Sequence, residues 1–248
     1  MIALIPVAGY ATRLYPLTLD KPKALLEIGG RPMMDYVVDK IIELNNITKI
    51  VVVSNHKFAS QFREWAKKRQ QTVSIPIVVL DDGTTSNETR LGAIGDAQFV
   101  IETENINEDI AWVSGDNLFS FSIKPFQDFF TKKKSDVIAC YDVKTSDQAK
   151  LFGIVNLDSN GKVTQFIEKP VKPTSTLASI GIYFYSKETV KLFRKYLSLG
   201  LSPDKPGEFV QWLFKEKSVY GFVYGSATDE WFDIGSIETL EAVRRRFK

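Results

Sequence analysis

The chain of 248 residues carries 32 Lys and Arg against 30 Asp and Glu, a formal net charge of +2. This balance provides no field strong enough to hold nucleic acid or an acidic membrane, so we expect neither partner and favour a small molecule. The single cysteine, Cys140, excludes an internal disulfide and a cysteine metal cluster, which suits a reducing, cytoplasmic location. One catalytic domain over residues 1–248 is expected at this length.

Short apolar runs alternate with segments of helical periodicity over the first part of the chain. The apolar runs predict strands over residues 2–7, 49–54, 75–80, 110–114 and 136–142. Helices are predicted between them, in a segment that follows Pro32 and over residues 58–69, 92–102 and 123–133. This alternation predicts an α/β fold with a doubly wound, mostly parallel, Rossmann-like sheet that is covered by helices on both faces.

The pattern changes after Lys150. Apolar runs over residues 153–157 and 163–168 flank a turn from Asp158 to Gly161 that ends in Asn-Gly, and this ending is a strong hairpin signal. An antiparallel insertion is therefore predicted here. The remaining elements are expected to be strands over residues 178–185 and 219–224 and helices over residues 187–197, 208–216 and 236–247.

The loop from Ala8 to Lys23 follows the first predicted strand, and ligands in open α/β sheets bind beyond the carboxyl ends of strands. It contains neither of the common phosphate-binding glycine motifs. It does offer a small-residue turn at Ala8 and Gly9, where backbone N–H groups could approach a phosphate, and two cations, Arg13 and Lys23. Two interpretations fit these residues equally well, a polyphosphate site and a solvated loop with incidental charges.

Three short motifs stand in order in this loop: Thr12-Arg13-Leu14, Pro16-Leu17-Thr18 and Pro22-Lys23. Together they resemble the signature of the sugar-phosphate nucleotidyltransferase family, and they depart from it at Ala11, where many members have glycine. Alanine can serve there provided that the position does not need a positive φ. Four later segments resemble the same family in the same order: Gly115-Asp116-Asn117, Phe152-Gly153-Ile154-Val155, Phe166-Ile167-Glu168-Lys169-Pro170 and Trp231-Phe232-Asp233-Ile234-Gly235-Ser236.

The resemblance implies roles for individual residues. It implies that Arg13 and Lys23 are catalytic cations that act on a triphosphate, and that Asp116 and Asp233 bind Mg²⁺ as cofactor. The nucleotide is expected on the turn formed by Ala8, Gly9, Tyr10, Ala11 and Thr12. The acceptor substrate is expected on the antiparallel, sugar-binding insertion and its neighbours, at Asn117, Gly153, Glu168 and Lys169.

Residues 81–96 lie where the family reads the nucleobase, and only Gly92-Ala93 fits the family pattern there. Asp82 and Gly92 are the nucleotide-binding candidates in this segment. Asp82, Thr85 and Arg90 could hydrogen-bond a base edge, or they could order a long polar loop internally. The sequence leaves both interpretations open, and with them the identity of the base.

The resemblance implies a nucleotidyltransferase that moves a nucleoside monophosphate from a nucleoside triphosphate to a sugar 1-phosphate and releases pyrophosphate. The first expectation is dTTP or UTP with glucose 1-phosphate. The alternatives are a cytidylyl- or guanylyltransferase that acts on a heptose or amino-sugar 1-phosphate or on phosphocholine, and a non-catalytic nucleotide-sugar sensor. Homo-oligomers are common among such enzymes. His56, the sole histidine, is not expected to act as a general base, because the attacking phosphate oxygen is already anionic.

Overall fold

The computed structural model describes residues 1–247. Its strands are, in chain order, β1 (Ile2–Pro6), β2 (Glu27–Ile28), β3 (Arg31–Pro32), β4 (Lys49–Ser54), β5 (Ile77–Asp81), β6 (Ile110–Val113), β7 (Leu118–Phe119), β8 (Asp136–Asp142), β9 (Gly153–Leu157), β10 (Val163–Glu168), β11 (Leu177–Tyr185), β12 (Val219–Tyr224) and β13 (Trp231–Phe232). Its α-helices are α1 (Met33–Ile42), α2 (His56–Arg69), α3 (Ala93–Thr103), α4 (Lys124–Lys133), α5 (Ser146–Ala149), α6 (Lys187–Val190), α7 (Leu192–Ser198), α8 (Pro206–Glu216) and α9 (Ile237–Arg246). Within these residues no helix is long and apolar enough to cross a membrane.

One large sheet organises the molecule. Seven of its nine strands within residues 1–247 stand side by side in the order β5, β4, β1, β6, β11, β8 and β12, and among these seven β11 alone runs against the direction of the others. The parallel strands are connected by helices that return the chain to the same end of the sheet, as crossover connections require. The carboxyl ends of β1, β4 and β6 therefore meet at one edge.

Helices cover both faces of this sheet, which confirms the predicted doubly wound α/β architecture. Side chains alternate along β1, so that Ala3 and Ile5 pack on the core beneath α1, α2 and α4. Ile2 and Leu4 pack on the opposite core, beneath α3, α7 and α8. Burial on both faces explains why β1 is a continuous apolar run rather than an alternating one.

The antiparallel insertion is confirmed as well. Strands β9 and β10 pair as a hairpin, and β9 then pairs antiparallel with β11. Gly161 closes the hairpin turn with a φ of +79°, a left-handed conformation that glycine adopts without steric cost. The hairpin extends the sheet on one side of the carboxyl edge and forms a wall above it.

Two short antiparallel pairs were not predicted. Strand β2 pairs with β3, and β7 pairs with β13, each over two residues. Segments of two residues carry no periodic pattern, so sequence reasoning has no signal for them. The second pair is important for the site, because it joins the segment after β6 to the segment before α9.

Candidate active site

The loop after β1 lies on the carboxyl edge, held between its two neighbouring strands. Val7 donates a backbone hydrogen bond to the carbonyl of Val53, and Gly115 donates one to the carbonyl of Pro6. A Cβ added at Gly115 would lie 2.3 Å from a methyl carbon of Val7. Glycine at position 115 is therefore what allows the chain after β6 to approach this loop so closely.

The turn at the start of the loop presents unused backbone donors. The N–H groups of Ala8, Gly9, Tyr10 and Ala11 donate to no other group within residues 1–247. The turn is held from below by the buried Asn55, whose amide donates to the carbonyl of Ala8 at 2.8 Å. Successive free N–H groups at a strand end form a typical cradle for a phosphate.

Ala11 adopts a left-handed conformation, with a φ of +48°. The proviso under which alanine replaces glycine without strain is therefore not met, and this conformation costs about 1–2 kcal/mol for an alanine. Two contacts hold it in place, since the carbonyl of Ala11 accepts hydrogen bonds from the hydroxyl of the buried Thr18 and from the backbone N–H of Leu14, both at 2.9 Å.

Lys23 forms an ion pair with Asp116, with 2.7 Å between Nζ and Oδ2. The lysine side chain is 14% exposed and the aspartate side chain 46%, so the pair stands at the wall of a cleft. Burial alone would raise the pKa of Asp116, but the charge and hydrogen bond of Lys23 outweigh it, and with help from Arg13 they hold the pKa below its ordinary value. Asp116 is therefore an anion at neutral pH.

The pairing of β7 with β13 carries the second aspartate to the same place. Phe232 is opposite Leu118 in this antiparallel pair, so Asp233 follows one strand where Asn117 precedes the other. Partial burial raises the pKa of the Asp233 carboxyl, and the charge of Asp116 raises it further, against the opposing effect of Lys23 and Arg13. The two carboxyls are thus electrostatic neighbours, 117 positions apart in the sequence.

Two cavities meet at these charges. The first cavity, of about 320 Å³, is lined by Pro6, Val7, Ala8, Gly9, Ala11, Arg13, Lys23, Ala24, Arg90, Gly92, Ala93, Asp96, Trp112, Ser114, Asp116, Asp204 and Pro206. The second cavity, of about 440 Å³, lies under the antiparallel insertion and contains Arg13, Ser114, Gly153, Glu168, Lys169, Asp204 and Asp233 in its walls. Arg13 and Ser114 line both cavities, so the two are continuous at the carboxyl edge.

Glycines make room for an acid in the second cavity. A Cβ added at Gly153 or at Gly207 would lie 2.9 Å or 2.4 Å from Oε2 of Glu168. Burial raises the pKa of Glu168, against the charges of Lys205 and Lys169, and its carboxyl has no hydrogen-bond partner within residues 1–247. The carboxyl is therefore free to accept hydrogen bonds from a ligand.

Lys169 stands next to this acid in a strained conformation, with a φ of +49°. Its backbone N–H donates to the carbonyl of Phe152 at 3.0 Å, and this bond holds the turn. A left-handed conformation in a residue other than glycine costs about 1–3 kcal/mol and is frequent in binding sites. This backbone conformation directs the Lys169 side chain towards the second cavity, and Lys169 forms part of the cavity wall.

Four of the predicted site residues lie outside both cavity walls. Tyr10 is buried, and its hydroxyl donates to the carbonyl of Thr84 at 3.1 Å. Thr12 is exposed on the loop. Oδ1 of Asp82 accepts from the backbone and hydroxyl of Thr84, both at 2.7 Å. The fourth residue is Asn117.

Asn117 is buried between two protein partners. Its amide donates to the carbonyl of Ile180 at 2.5 Å, and its Oδ1 accepts from the indole of Trp231 at 2.7 Å. Both ends of the side chain are therefore occupied, and they tie β11 and β13 to the segment that carries Asp116. This geometry suits a residue that positions the carboxylates.

Sequence reasoning missed several residues of the walls. Ser114 could have been found from its place directly before the Gly-Asp-Asn motif, and Asp96 lay inside the segment expected to read the base. Asp204 had no local signal. It reaches the first cavity because the loop before α8 folds over α3, where Pro203 accepts a hydrogen bond from the backbone N–H of Ile94 at 2.8 Å.

The chain is similar to proteins that are described as sugar-1-phosphate nucleotidyltransferases. The chain is 30% identical to a Sulfolobus acidocaldarius protein assigned as a mannose-1-phosphate guanyltransferase, over 82% of this chain and 52% of that protein. It is 27% identical to a UTP–glucose-1-phosphate uridylyltransferase of Haloferax volcanii, over 75% of this chain and 72% of that protein. The chain thus spans about half the length of the first of these relatives.

A solved structure shares the fold. It is a Bacillus anthracis protein described as a glucose-1-phosphate thymidylyltransferase in complex with sucrose, and it matches with a TM-score of 0.84 at 22% identity, over all of this chain and 95% of that one. The family model described as nucleotidyl transferase matches residues 2–247. Because this match includes both cavities and every element between them, the chain belongs to the nucleotidyl transferase family.

Proposed function

We propose that residues 1–248 form one catalytic domain that transfers a nucleoside monophosphate from a nucleoside triphosphate to a sugar 1-phosphate and releases pyrophosphate. The observation that carries the proposal is the junction of the two cavities at Arg13, where the Lys23–Asp116 pair and Asp233 also lie. The volume of each cavity lies in the range of small-molecule sites. Two polyanions that enter from either side would meet among these charges.

The residues of the first cavity suit the triphosphate. The free N–H groups of the turn can hold phosphate oxygens, and Arg13 and Lys23 supply two cations beside them. In phosphoryl transfer such groups act by positioning the reactants and by stabilising charge in the transition state. We assign Arg13 to the departing pyrophosphate and Lys23 to the α-phosphate.

The residues of the second cavity suit a sugar phosphate. Glu168 presents a carboxyl without a protein partner, which can accept hydrogen bonds from sugar hydroxyls. Lys169 adds a cation for the phosphate of the acceptor. Phe152 and Tyr183 in the same wall offer apolar faces, which is typical of sugar sites.

Asp116 and Asp233 fit a magnesium ion. Mg²⁺ in such enzymes is held by one or two carboxylates together with substrate phosphates and water, and within residues 1–247 there is no larger cluster of acidic, histidine or cysteine ligands. Apart from burial, the charge of Asp116 raises the pKa of Asp233, and a divalent cation would relieve this repulsion. When bound, the ion would neutralise charge on the phosphates.

The reaction needs no general base from the protein. An oxygen of the acceptor phosphate forms a bond to the α-phosphorus, and the bond from the α-phosphorus to the bridging oxygen breaks. That oxygen leaves with the pyrophosphate. His56 lies outside the two cavities and pairs with Asp81 at 2.8 Å, which agrees with the absence of a base from the scheme.

The substrate pair is the finer part of the proposal. Glucose 1-phosphate with dTTP or UTP is the first pair to test, and the names of the relatives, which include guanyl and uridylyl transferases, widen the choice of base. The cytoplasmic location inferred from the single cysteine, which is buried, and homo-oligomer formation belong to the same proposal.

The test is pyrophosphate release with Mg²⁺ over a grid of ATP, GTP, CTP, UTP and dTTP against a panel of sugar 1-phosphates and phosphocholine. We expect release with one pair, and a loss of about 10²-fold or more in Lys23→Ala. The matched control is Lys21→Ala on the same loop, since Lys21 is outside both cavities and pairs with Glu27 at 3.3 Å. Silence over the whole grid with intact nucleotide binding would overturn the proposal in favour of a sensor.

A further inference from the structure

Two carboxyl groups face each other behind the wall of the first cavity. Asp96, on the first turns of α3, is 4% exposed, and its carboxyl is within hydrogen-bond reach of that of Asp82. Neither Oδ1 of Asp96 nor Oδ2 of Asp82 has a hydrogen-bond donor among the protein groups of residues 1–247. Two buried oxygens without donors are costly, so the pair needs an explanation.

A proton shared between Oδ1 of Asp96 and Oδ2 of Asp82 explains how both oxygens can be buried without another donor. Burial, and then the charge and hydrogen bond of Asp82, raise the pKa of Asp96 to about 8. Near pH 7 the Asp96 carboxyl therefore keeps its proton, and that proton can lie between the two carboxyls. The remaining oxygens of the pair act only as hydrogen-bond acceptors.

The two acids differ in their other contacts, because Oδ1 of Asp82 orders the turn at Thr84 whereas Oδ1 of Asp96 has no protein donor within residues 1–247. Within residues 1–247 no lysine or arginine forms an ion pair with either Asp82 or Asp96, although the protein pairs its other fully buried acid, Asp136, with Lys217 at 3.0 Å. Asp96, in contrast, belongs to the wall of the first cavity. An acceptor that is nine-tenths buried and lines a cavity is positioned for a donor that arrives with a ligand.

The surroundings of Asp96 suit a flat, polar ring. Val7, Ala93, Trp112 and Pro206 supply apolar surface to the same cavity. Arg90 stands at its rim, held by Asp204 at 2.9 Å, and offers hydrogen-bond donors. The free N–H groups of the phosphate cradle lie in the same cavity, so a triphosphate held by the cradle would extend its base towards this wall.

We propose that the Asp96 carboxyl reads the nucleobase and selects a base that carries an exocyclic amino group. An amino N–H donates to the acceptor oxygen, as acidic side chains accept from the amino group of cytosine in nucleic-acid recognition. Uracil and thymine present a carbonyl oxygen at the equivalent position, and two acceptors would then face each other. The inference rests on the proposed function and replaces dTTP or UTP, the first nucleotides proposed there, with GTP, CTP or ATP.

The first test measures nucleotide binding to the wild-type protein without an acceptor substrate, by titration calorimetry with Mg²⁺. Each amino-bearing triphosphate is compared with a counterpart that lacks the amino group: UTP for CTP, and ITP for GTP and ATP. We expect the tightest ligand to carry an amino group and its counterpart to bind about tenfold more weakly. UTP or dTTP as the tightest ligand would overturn the inference and leave the proposed function standing.

Two variants separate recognition from a structural effect. Asp96→Leu replaces the acceptor by an apolar side chain of similar size, so the ratio of Kd values between counterparts should fall to about one. Asp82→Asn leaves Asp96 as an acceptor, because Asp82 does not line the cavity and an amide in its place can donate to Asp96. This variant should retain the ratio. Equal loss of the ratio in both variants, or retention in Asp96→Leu, would overturn the inference.

The binding assay also separates this inference from the function beneath it. A protein that binds a triphosphate with the expected ratio but releases no pyrophosphate supports base reading and refutes catalysis. A protein that binds none of the triphosphates refutes both. Because the wild-type ratio is measured first, the inference stays falsifiable even if Asp96→Leu fails to fold.

Discussion

Two lysine–aspartate pairs stand at opposite ends of the sheet and differ in how completely they are satisfied. Asp136 begins β8 and is fully buried, where Ser186 and Thr189 donate hydrogen bonds to its carboxyl at 2.6 to 3.0 Å and Lys217 forms an ion pair with it at 3.0 Å. Asp116 follows β6 at the carboxyl edge, and Lys23 is the only side chain that donates to it within residues 1–247.

The difference shows how one pair type serves two purposes. A buried pair with every oxygen occupied has nothing left to bind and can only stabilise the local fold. A pair at a cavity wall with free oxygens is ready to exchange partners with a ligand. The place of each pair in the sheet predicts which of them is open to a ligand, since ligands bind beyond the carboxyl ends of parallel strands. Matched substitutions of the two aspartates therefore test most directly whether one pair stabilises the fold and the other serves the site.

The largest expected effect is on stability, from Asp136→Asn. The change leaves the ammonium of Lys217 without its anion and should lower the free energy of unfolding by about 3–5 kcal/mol, the usual result of breaking a buried pair. Urea unfolding measures it. At a temperature where the variant is folded, its pyrophosphate release should equal that of the wild type. A loss of activity in the folded variant would contradict the structural role.

The same substitution at the other pair should affect the rate and spare the fold. Asp116→Asn removes a proposed magnesium ligand and the partner of Lys23, so we expect kcat/KM to fall by about 10²-fold or more. The free energy of unfolding should change by less than about 1 kcal/mol, because the carboxylate is half exposed. Steady-state kinetics and urea unfolding on one preparation decide the point. A variant that unfolds as easily as Asp136→Asn would remove the distinction between the pairs.

A third, smaller effect concerns the acid pair beside the cavity. Folding raises the pKa of Asp96 from 3.8 to about 8, so the folded state binds more protons than the unfolded state between these values, and stability falls as pH rises from about 4 to 8. Asn at position 96 does not titrate. Asp96→Asn should therefore become more stable than the wild type over this range, by about 1–3 kcal/mol at pH 8. Thermal or urea unfolding at pH 5 and pH 8 measures the change, and a pH-independent difference would contradict it.

The smallest effect is expected in the phosphate cradle. Ala11→Gly relieves the left-handed conformation at φ +48° and should stabilise the protein by about 1 kcal/mol. Ala8→Gly is the control, because Ala8 is buried and does not have a positive φ, and it should destabilise instead. Urea unfolding of the two variants checks the signs. If both substitutions changed the free energy of unfolding in the same direction, the left-handed conformation of Ala11 would not be destabilising.

Much of the fold was predictable from local patterns. The bounds of β4, β8, β9, β10 and β12 agree with the prediction to the residue, because each is an apolar run bordered by turn residues. The order of the strands was not predictable. Strand β11 runs between β6 and β8 against their direction, and this is a property of long-range pairing that the periodicity of a strand does not encode.

For the site, the motifs predicted which residues matter but not how they are arranged. Lys23 and Asp116 are 93 positions apart in the sequence, and nothing local to either predicts their contact at 2.7 Å. The approach of Asp233 depends on two residues of β13 that pair with β7. Their roles in catalysis and metal binding remain predictions for the experiments above.

Local patterns in the sequence were enough to predict the family, the long strands and most of the helices, since these depend on periodicity and on motifs within short segments. The short helix α5 was missed, and residues 187–197, predicted as one helix, form α6 and α7. Which charged side chains find partners depends on contacts between distant segments and becomes visible only in the folded protein. Asp96 and Asp136 look alike in the sequence, yet Asp136 is held by three hydrogen bonds and an ion pair, whereas Asp96 lines a cavity and has no cation paired with it within residues 1–247. Burial and hydrogen bonding are set by segments distant in the chain, and they decide whether an aspartate stabilises the fold or is available to bind a ligand.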